Sequence, residues 1–153
     1  MTMRKFEVVK NEFRKHPNAK IQLPKRGTKY AAAYDFYLPV DVTLHSGEKK
    51  IIASDVKASM ESNEVLMIYI RSSVGIKKNI VLSNGTGIID ADYYNNEDND
   101  GNIGLALYNA SDKPVELKAG ERICQGIFLR YAITDDDSAD TERTGGIGST
   151  GTK

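Results

Sequence analysis

Hydrophobic positions along the chain recur at the period of strands. Phe6 and Val8 alternate with polar neighbours, as do Ile21 and Leu23, and Asp35-Phe36-Tyr37-Leu38 runs up to Pro39. Val42-Thr43-Leu44, Ile51-Ile52 and Val56 follow at turn-separated spacing, with His45 in the turn His45-Ser46-Gly47-Glu48. Val65 to Ile70 is the most continuous apolar run and predicts a fully buried strand. Ile103 to Tyr108, Val115 to Leu117 and Ile123 to Leu129 complete the series, divided by Ser111-Asp112-Lys113-Pro114 and Lys118-Ala119-Gly120-Glu121. Many short strands with turns between them and almost no helical period predict an all-β barrel or sandwich. One short helix is predicted where Arg71-Ser72-Ser73-Val74-Gly75 follows the long apolar run, with a serine N-cap and backbone N–H groups facing outward where phosphate is attracted.

The stretch from Ser83 to Tyr93, S-N-G-T-G-I-I-D-A-D-Y, is the candidate centre of function. Asn84-Gly85 between apolar runs predicts a tight hairpin, whose favoured turn needs positive φ at both central residues. Gly87 offers bare backbone against which a ligand can lie. Asp90 follows two β-branched residues, so a carboxylate set in an apolar strand beside an open turn is a candidate base. The plain alternative is a surface hairpin with Asp90 and Asp92 facing water.

At 153 residues the chain predicts one domain with a real core. The boundary falls after residue 133, because Asp135, Asp136, Asp137 and Asp140 make the next segment too charged to join a core. Beyond it, Arg143-Thr144-Gly145-Gly146-Ile147-Gly148-Ser149-Thr150-Gly151 has the glycines and donors of a phosphate cradle, without the G-K-[S/T] of a P-loop. Residues 134–153 therefore read as an acidic linker and a glycine-rich lid. Lys plus Arg balances Asp plus Glu at 21 each, so no global field draws the chain to nucleic acid or membrane, and an anionic ligand must be held by local groups. A single cysteine, Cys124, forbids an internal disulfide, and with only His16 and His45 beside it no Cys/His zinc set forms. No apolar run approaches a membrane span and no apolar leader opens the chain, so a cytoplasmic setting is expected.

Five segments occur in one order: A-A-A-Y-D-F at 31 to 36, R-S-S-V-G at 71 to 75, N-G-T-G-I-I-D-A-D-Y at 84 to 93, G-E-R-I-C-Q at 120 to 125, and R-T-G-G-I-G-S-T-G at 143 to 151. This series resembles the five motifs of the homotrimeric dUTPase family, of bacterial or phage type, over nearly the whole chain. The resemblance implies a jelly-roll-like β-barrel with one short helix and a flexible C-terminal arm. It also implies a trimer with three active sites shared between subunits, and Mg²⁺-assisted hydrolysis of dUTP to dUMP and pyrophosphate, which controls dUTP and supplies dUMP for dTMP synthesis. By the same resemblance Asp90 is the general base toward water attacking the α-phosphorus, and Asn84 reads uracil with backbone from Gly85 to Gly87. Tyr93 packs beneath the deoxyribose and leaves no room for a 2′-hydroxyl. Ser72, Ser73 and Gln125 hold the phosphates, Arg71 and Asp35 form a supporting ion pair, and Arg143 with Gly146, Ile147, Gly148 and Ser149 closes over the γ-phosphate. Mg²⁺ is held mainly by triphosphate oxygens and water, with no direct protein ligand.

The chain departs from the family pattern in three places. Ile147 stands where the lid usually carries phenylalanine, in a motif one residue shorter after Arg143, and removes a base-stacking contact worth roughly 1–3 kcal/mol. Ala33 replaces a usual glycine. Tyr94 to Asp100 lengthens a connection that is short in many relatives, and its polar run predicts a solvated tip with no face to bury; a calcium-loop reading lacks the closing glutamate. Two other functions are weighed. The dCTP deaminase relatives share R-S-S, but Asn84 and the I-D-A-D-Y hairpin favour uracil, and zinc-type deamination lacks its ligands. A regulatory protein that binds a partner, as in phage members of the family, would use the 94–100 insert as its surface.

Overall fold

The computed structural model of the chain describes residues 3–148 and 150–151. Its elements are β1 (Lys5–Val8), β2 (Lys25–Arg26), β3 (Tyr34–Tyr37), β4 (Val42–Leu44), β5 (Lys49–Ala53), β6 (Val56–Ser59), β7 (Glu64–Ile70), α1 (Ser72–Lys78), β8 (Ile80–Leu82), β9 (Gly87–Asp90), β10 (Gly104–Asn109), β11 (Val115–Leu117) and β12 (Arg122–Arg130). The larger sheet runs β2-β3-β12-β7-β9 and the second runs β5-β10-β8, with ribbons β1-β6 and β11-β4 beside them. Every pairing is antiparallel. Leu66 and Ile68 from the larger sheet and Ile80, Leu105 and Leu107 from the second meet in one core with Phe36, Leu44 and Ile123. The expected jelly-roll-like all-β fold with one short helix is the fold observed. Cys124 lies wholly inside it, and burial pushes its thiol up to about 12, which makes it an inert packing residue.

Ile21 and Leu23 form no strand, because Pro17 and Pro24 bracket them and the ladder starts only at Lys25. The β7 run is not buried on both faces. Leu66 and Ile68 point inward while Val65, Met67 and Tyr69 are partly exposed on the other side. Across the ladder Met67 faces Ile127 and Ile88, and Val65 faces Leu129, so an apolar stripe lies on the outer surface of the sheet. In α1 the N-cap is Arg71 and not a serine; Ser72 is the first helical residue and makes no capping bond. Asn79, left-handed at φ 54°, ends the helix after Lys77 and Lys78.

The 94–100 insert is not a solvated tip. Asn96, Asp100 and Asn102 are buried, and the insert closes on itself and on β6 through polar contacts. The Lys57 ammonium, itself buried, donates to Asp100 Oδ2 at 2.9 Å and to Asn95 Oδ1 at 2.6 Å and sits 4.9 Å from the centre of the Tyr94 ring. Lys10 N donates to Asp100 Oδ2 at 2.8 Å. Tyr94 donates its hydroxyl to Glu7, and burial first, with that carboxylate second, pushes the phenol up to about 12. Gly101 closes the insert at φ 86°, where an added Cβ would stand 2.9 Å from the Tyr93 carbonyl oxygen. A polar run needs no apolar face when a lysine from a neighbouring strand satisfies its carboxylate inside the fold.

Candidate active site

Asn84-Gly85 does not make a hairpin. The strand before it, β8, pairs with β10, and the strand after it, β9, pairs with β7, so the turn carries the chain from one sheet to the other. Gly85 alone has positive φ, at 73°; its N–H donates to Leu82 O at 2.9 Å and leaves Ser83 and Asn84 at the corner. The two sheets part at this crossing and leave a cavity of about 390 Å³. Asn84, Gly87, Asp90 and Tyr93 line it together with Ile68, Ala106 and Ile51. Gly87 is required by the ladder as well as by the cavity, because an added Cβ would stand 3.1 Å from Cβ of Ile68 directly opposite.

Asp90 ends β9 with its side chain about half exposed, at 52%. Arg143 reaches it from the tail, with Nη2 3.0 Å from Asp90 Oδ2. The same guanidinium has Nε 3.1 Å from Asp92 Oδ1, at an angle too poor for a hydrogen bond, so that contact is electrostatic. It also lies 5.6 Å from the centre of the Tyr93 ring. Tyr93 is buried and doubly bonded: its hydroxyl donates to Asn102 O at 2.7 Å and accepts from Asn99 Nδ2 at 2.8 Å. Burial raises its pKa above the ordinary phenol value.

The glycine-rich tail is seated across the cavity. Gly146 N donates to Asp98 Oδ2 at 2.8 Å, Glu97 N donates to Thr144 O at 3.0 Å, and Gly145 and Gly146 are buried. Ile147 and Gly148 line the cavity mouth, and Ile147 remains 75% exposed. Ser149 lies outside the described residues.

A second cluster gathers the other expected residues. The Asp35 carboxylate on β3 faces Arg71 Nε at 3.3 Å and Arg122 Nη1 at 3.4 Å. Gln125 stands between Asp35 and Tyr69 in the ladder, and Ser72 and Ser73 open α1 next to Arg71. Arg122 was not legible as a member of this cluster. Its only signal is its position in G-E-R-I-C-Q, and the bulge between Arg122 and Cys124 is what turns it toward Asp35.

The two clusters do not converge within one chain. Asp90 is the ladder partner of Val65, at the start of β7, whereas Ser72 follows the end of that strand. About seven residues at roughly 3.3 Å each separate them, a span on the order of 20 Å.

The sequence model of the dUTPase family matches residues 19–151. The chain is 44% identical over 153 residues to a deoxyuridine 5′-triphosphate nucleotidohydrolase of Lactococcus lactis, covering 99% of each. The crystal structure of a dUTPase from Streptococcus mutans superposes with a TM-score of 0.76 at 39% identity, covering 86% of this chain and 99% of that one. A dUTPase of Staphylococcus bacteriophage 80alpha, described as controlling transfer of virulence genes by a G protein-like mechanism, shares the fold at 22% identity and a TM-score of 0.70, covering 92% of this chain and 99% of that one.

Proposed function

This chain belongs to the dUTPase family and hydrolyses dUTP to dUMP and pyrophosphate; from that premise we propose how its residues divide the reaction between two copies of the chain. The observation that carries the proposal is the separation, along β7, of the carboxylate at the rim of the sheet-crossing cavity from the serines that open α1. Uracil enters the turn, where the Asn84 amide and the backbone of Gly85 to Gly87 offer both donor and acceptor to its edge. The Tyr93 ring, held by Asn99 and Asn102, closes the floor where a 2′-hydroxyl would have to fit. Asp90 accepts the proton of a water molecule as its oxygen bonds to the α-phosphorus. The bond from that phosphorus to the bridging oxygen then breaks and pyrophosphate leaves.

Ser72, Ser73 and Gln125 hold the α- and β-phosphates, and the Asp35 carboxylate orients Arg71 and Arg122 around them. These groups cannot reach a phosphate under attack by the water that Asp90 of the same chain activates, given the span along β7, so a second copy supplies them. The apolar stripe of Met67, Ile127, Ile88 and Leu129 supports association, because monomers rarely leave such a surface to water. A homotrimer with one such shared site at each interface satisfies both.

Among the described residues no three His, Cys, Asp or Glu side chains gather to hold a metal, and the carboxylate pair at the cavity is already spanned by Arg143. This donor set suits an Mg²⁺ that travels on the triphosphate and neutralises its charge. Arg143 then exchanges Asp90 for the γ-phosphate, a trade between two anions that frees the base as substrate arrives. No helix among the described residues is long and apolar enough to cross a membrane, and we assign the chain to the cytoplasm, where its nucleotide substrate is found.

Incubation with dUTP and, separately, dCTP tests the assignment. Pyrophosphate is expected from dUTP alone, with ammonia from neither; pyrophosphate or ammonia from dCTP would overturn it. In the same assay Ile147→Phe is expected to lower KM about tenfold by restoring stacking over the base, and an unchanged KM would show that the lid contributes no stacking.

A further inference from the structure

We propose that the 94–100 insert is the receptor for the C-terminal lid, with Asp98 and Asn99 as positioning residues. The inference rests on the reading of the cavity as the nucleotide site. Three contacts join insert to tail. Asp98 Oδ2 accepts the Gly146 N–H at 2.8 Å, and Glu97 N–H donates to the Thr144 carbonyl at 3.0 Å. Gly146 packs so closely on Asn99 that an added Cβ would stand 3.1 Å from Nδ2.

The insert itself is fixed and not a loose loop. Asn96 bonds Asn99 Oδ1 at 2.7 Å and the Tyr93 carbonyl at 2.9 Å, and Lys57 anchors Asp100 from β6. Asn99 therefore has two neighbours of consequence: with Nδ2 it holds the hydroxyl of the tyrosine beneath the sugar, and with its amide face it receives the tail. A lid seated on this surface brings Arg143, Ile147 and Gly148 to the cavity mouth. The insert thus couples closure of the lid to the position of Tyr93.

Each residue has its own signature. Asp98→Ala removes a charged acceptor from the tail and leaves Tyr93 held, so KM for dUTP is expected to rise about tenfold. Its preference for dUTP over UTP stays that of the natural chain. Asn99→Ala also removes one of the two bonds that hold the tyrosine hydroxyl, so KM rises and the preference falls. Both variants are also made in a chain ending at residue 141, which has no lid. There Asp98→Ala is expected to change nothing further, and Asp98→Asn in the full chain to recover most of the affinity. An Asp98→Ala penalty of equal size with and without the tail would mean that Asp98 acts through the fold, and would overturn the proposal. Limited proteolysis at the 134–142 linker gives a readout independent of catalysis. Faster cleavage in Asp98→Ala supports the receptor even if dUTP turnover is absent, and an unchanged rate overturns it.

Discussion

An Asp90→Asn chain is expected to lose dUTP turnover by roughly three orders of magnitude, within the range that a general base contributes, while still binding nucleotide. Asparagine keeps the shape of the aspartate and gives up only its charge and its capacity to take a proton. Binding survives because Asn84, the turn backbone and Tyr93 hold the nucleoside. It even gains slightly, since an anion beside the α-phosphate is removed. The Arg143 contact weakens in the same variant, because its partner at 3.0 Å becomes neutral. Single-turnover hydrolysis together with binding of a non-hydrolysable analogue separates the two effects. A kcat within tenfold of the natural chain would remove Asp90 from the role of base.

Lys57→Ala is expected to cost about 3–5 kcal/mol of stability, the usual result of leaving one partner of a buried ion pair without the other. Lys57 and Asp100 side chains are 5% and 2% exposed, so water cannot replace the lost ammonium. Among the described residues the Asp100 carboxylate keeps only the Lys10 N–H as a hydrogen-bond donor, and the Tyr94 ring loses its cation. Denaturant unfolding of the natural chain and the variant, at one protein concentration because assembly contributes, gives the difference. Adding Asp100→Asn to Lys57→Ala is expected to recover part of the loss, because it neutralises the stranded charge. A change below about 1 kcal/mol would show that the insert is held by other means.

Much of this architecture was legible in the sequence, for physical reasons that also mark where reading failed. Alternation gave β4 and β10 because the two faces of those strands differ in burial, and the apolar β7 hid its outward face because Val65, Met67 and Tyr69 are apolar too. Asn84-Gly85 was read as a hairpin because a turn signal is local, whereas strand pairing is tertiary: β8 pairs with β10 and β9 with β7. The 94–100 insert was read as solvated because the cation that satisfies its buried carboxylate is distant in sequence; Lys57 lies 43 positions from Asp100. Arg122 was missed for the same reason, since Asp35 lies 87 positions away, and Asn99 was missed because a uniformly polar run does not mark which side chain turns back onto Tyr93. Least legible of all was the division of the site, since the order of motifs along a chain carries no mark of which copy supplies each one.

Asp90 and Ser72 are expected to act on one substrate only when they come from different copies. Asp90→Asn and Ser72→Ala chains, each impaired alone, are mixed unfolded at equal amounts and refolded together. A ring of three built from both kinds holds one site with Asp90 and Ser72 intact, so dUTP hydrolysis is expected to return to about a quarter of the natural rate. Activity no greater than the sum of the two parents, in trimers shown to be mixed, would contradict the account.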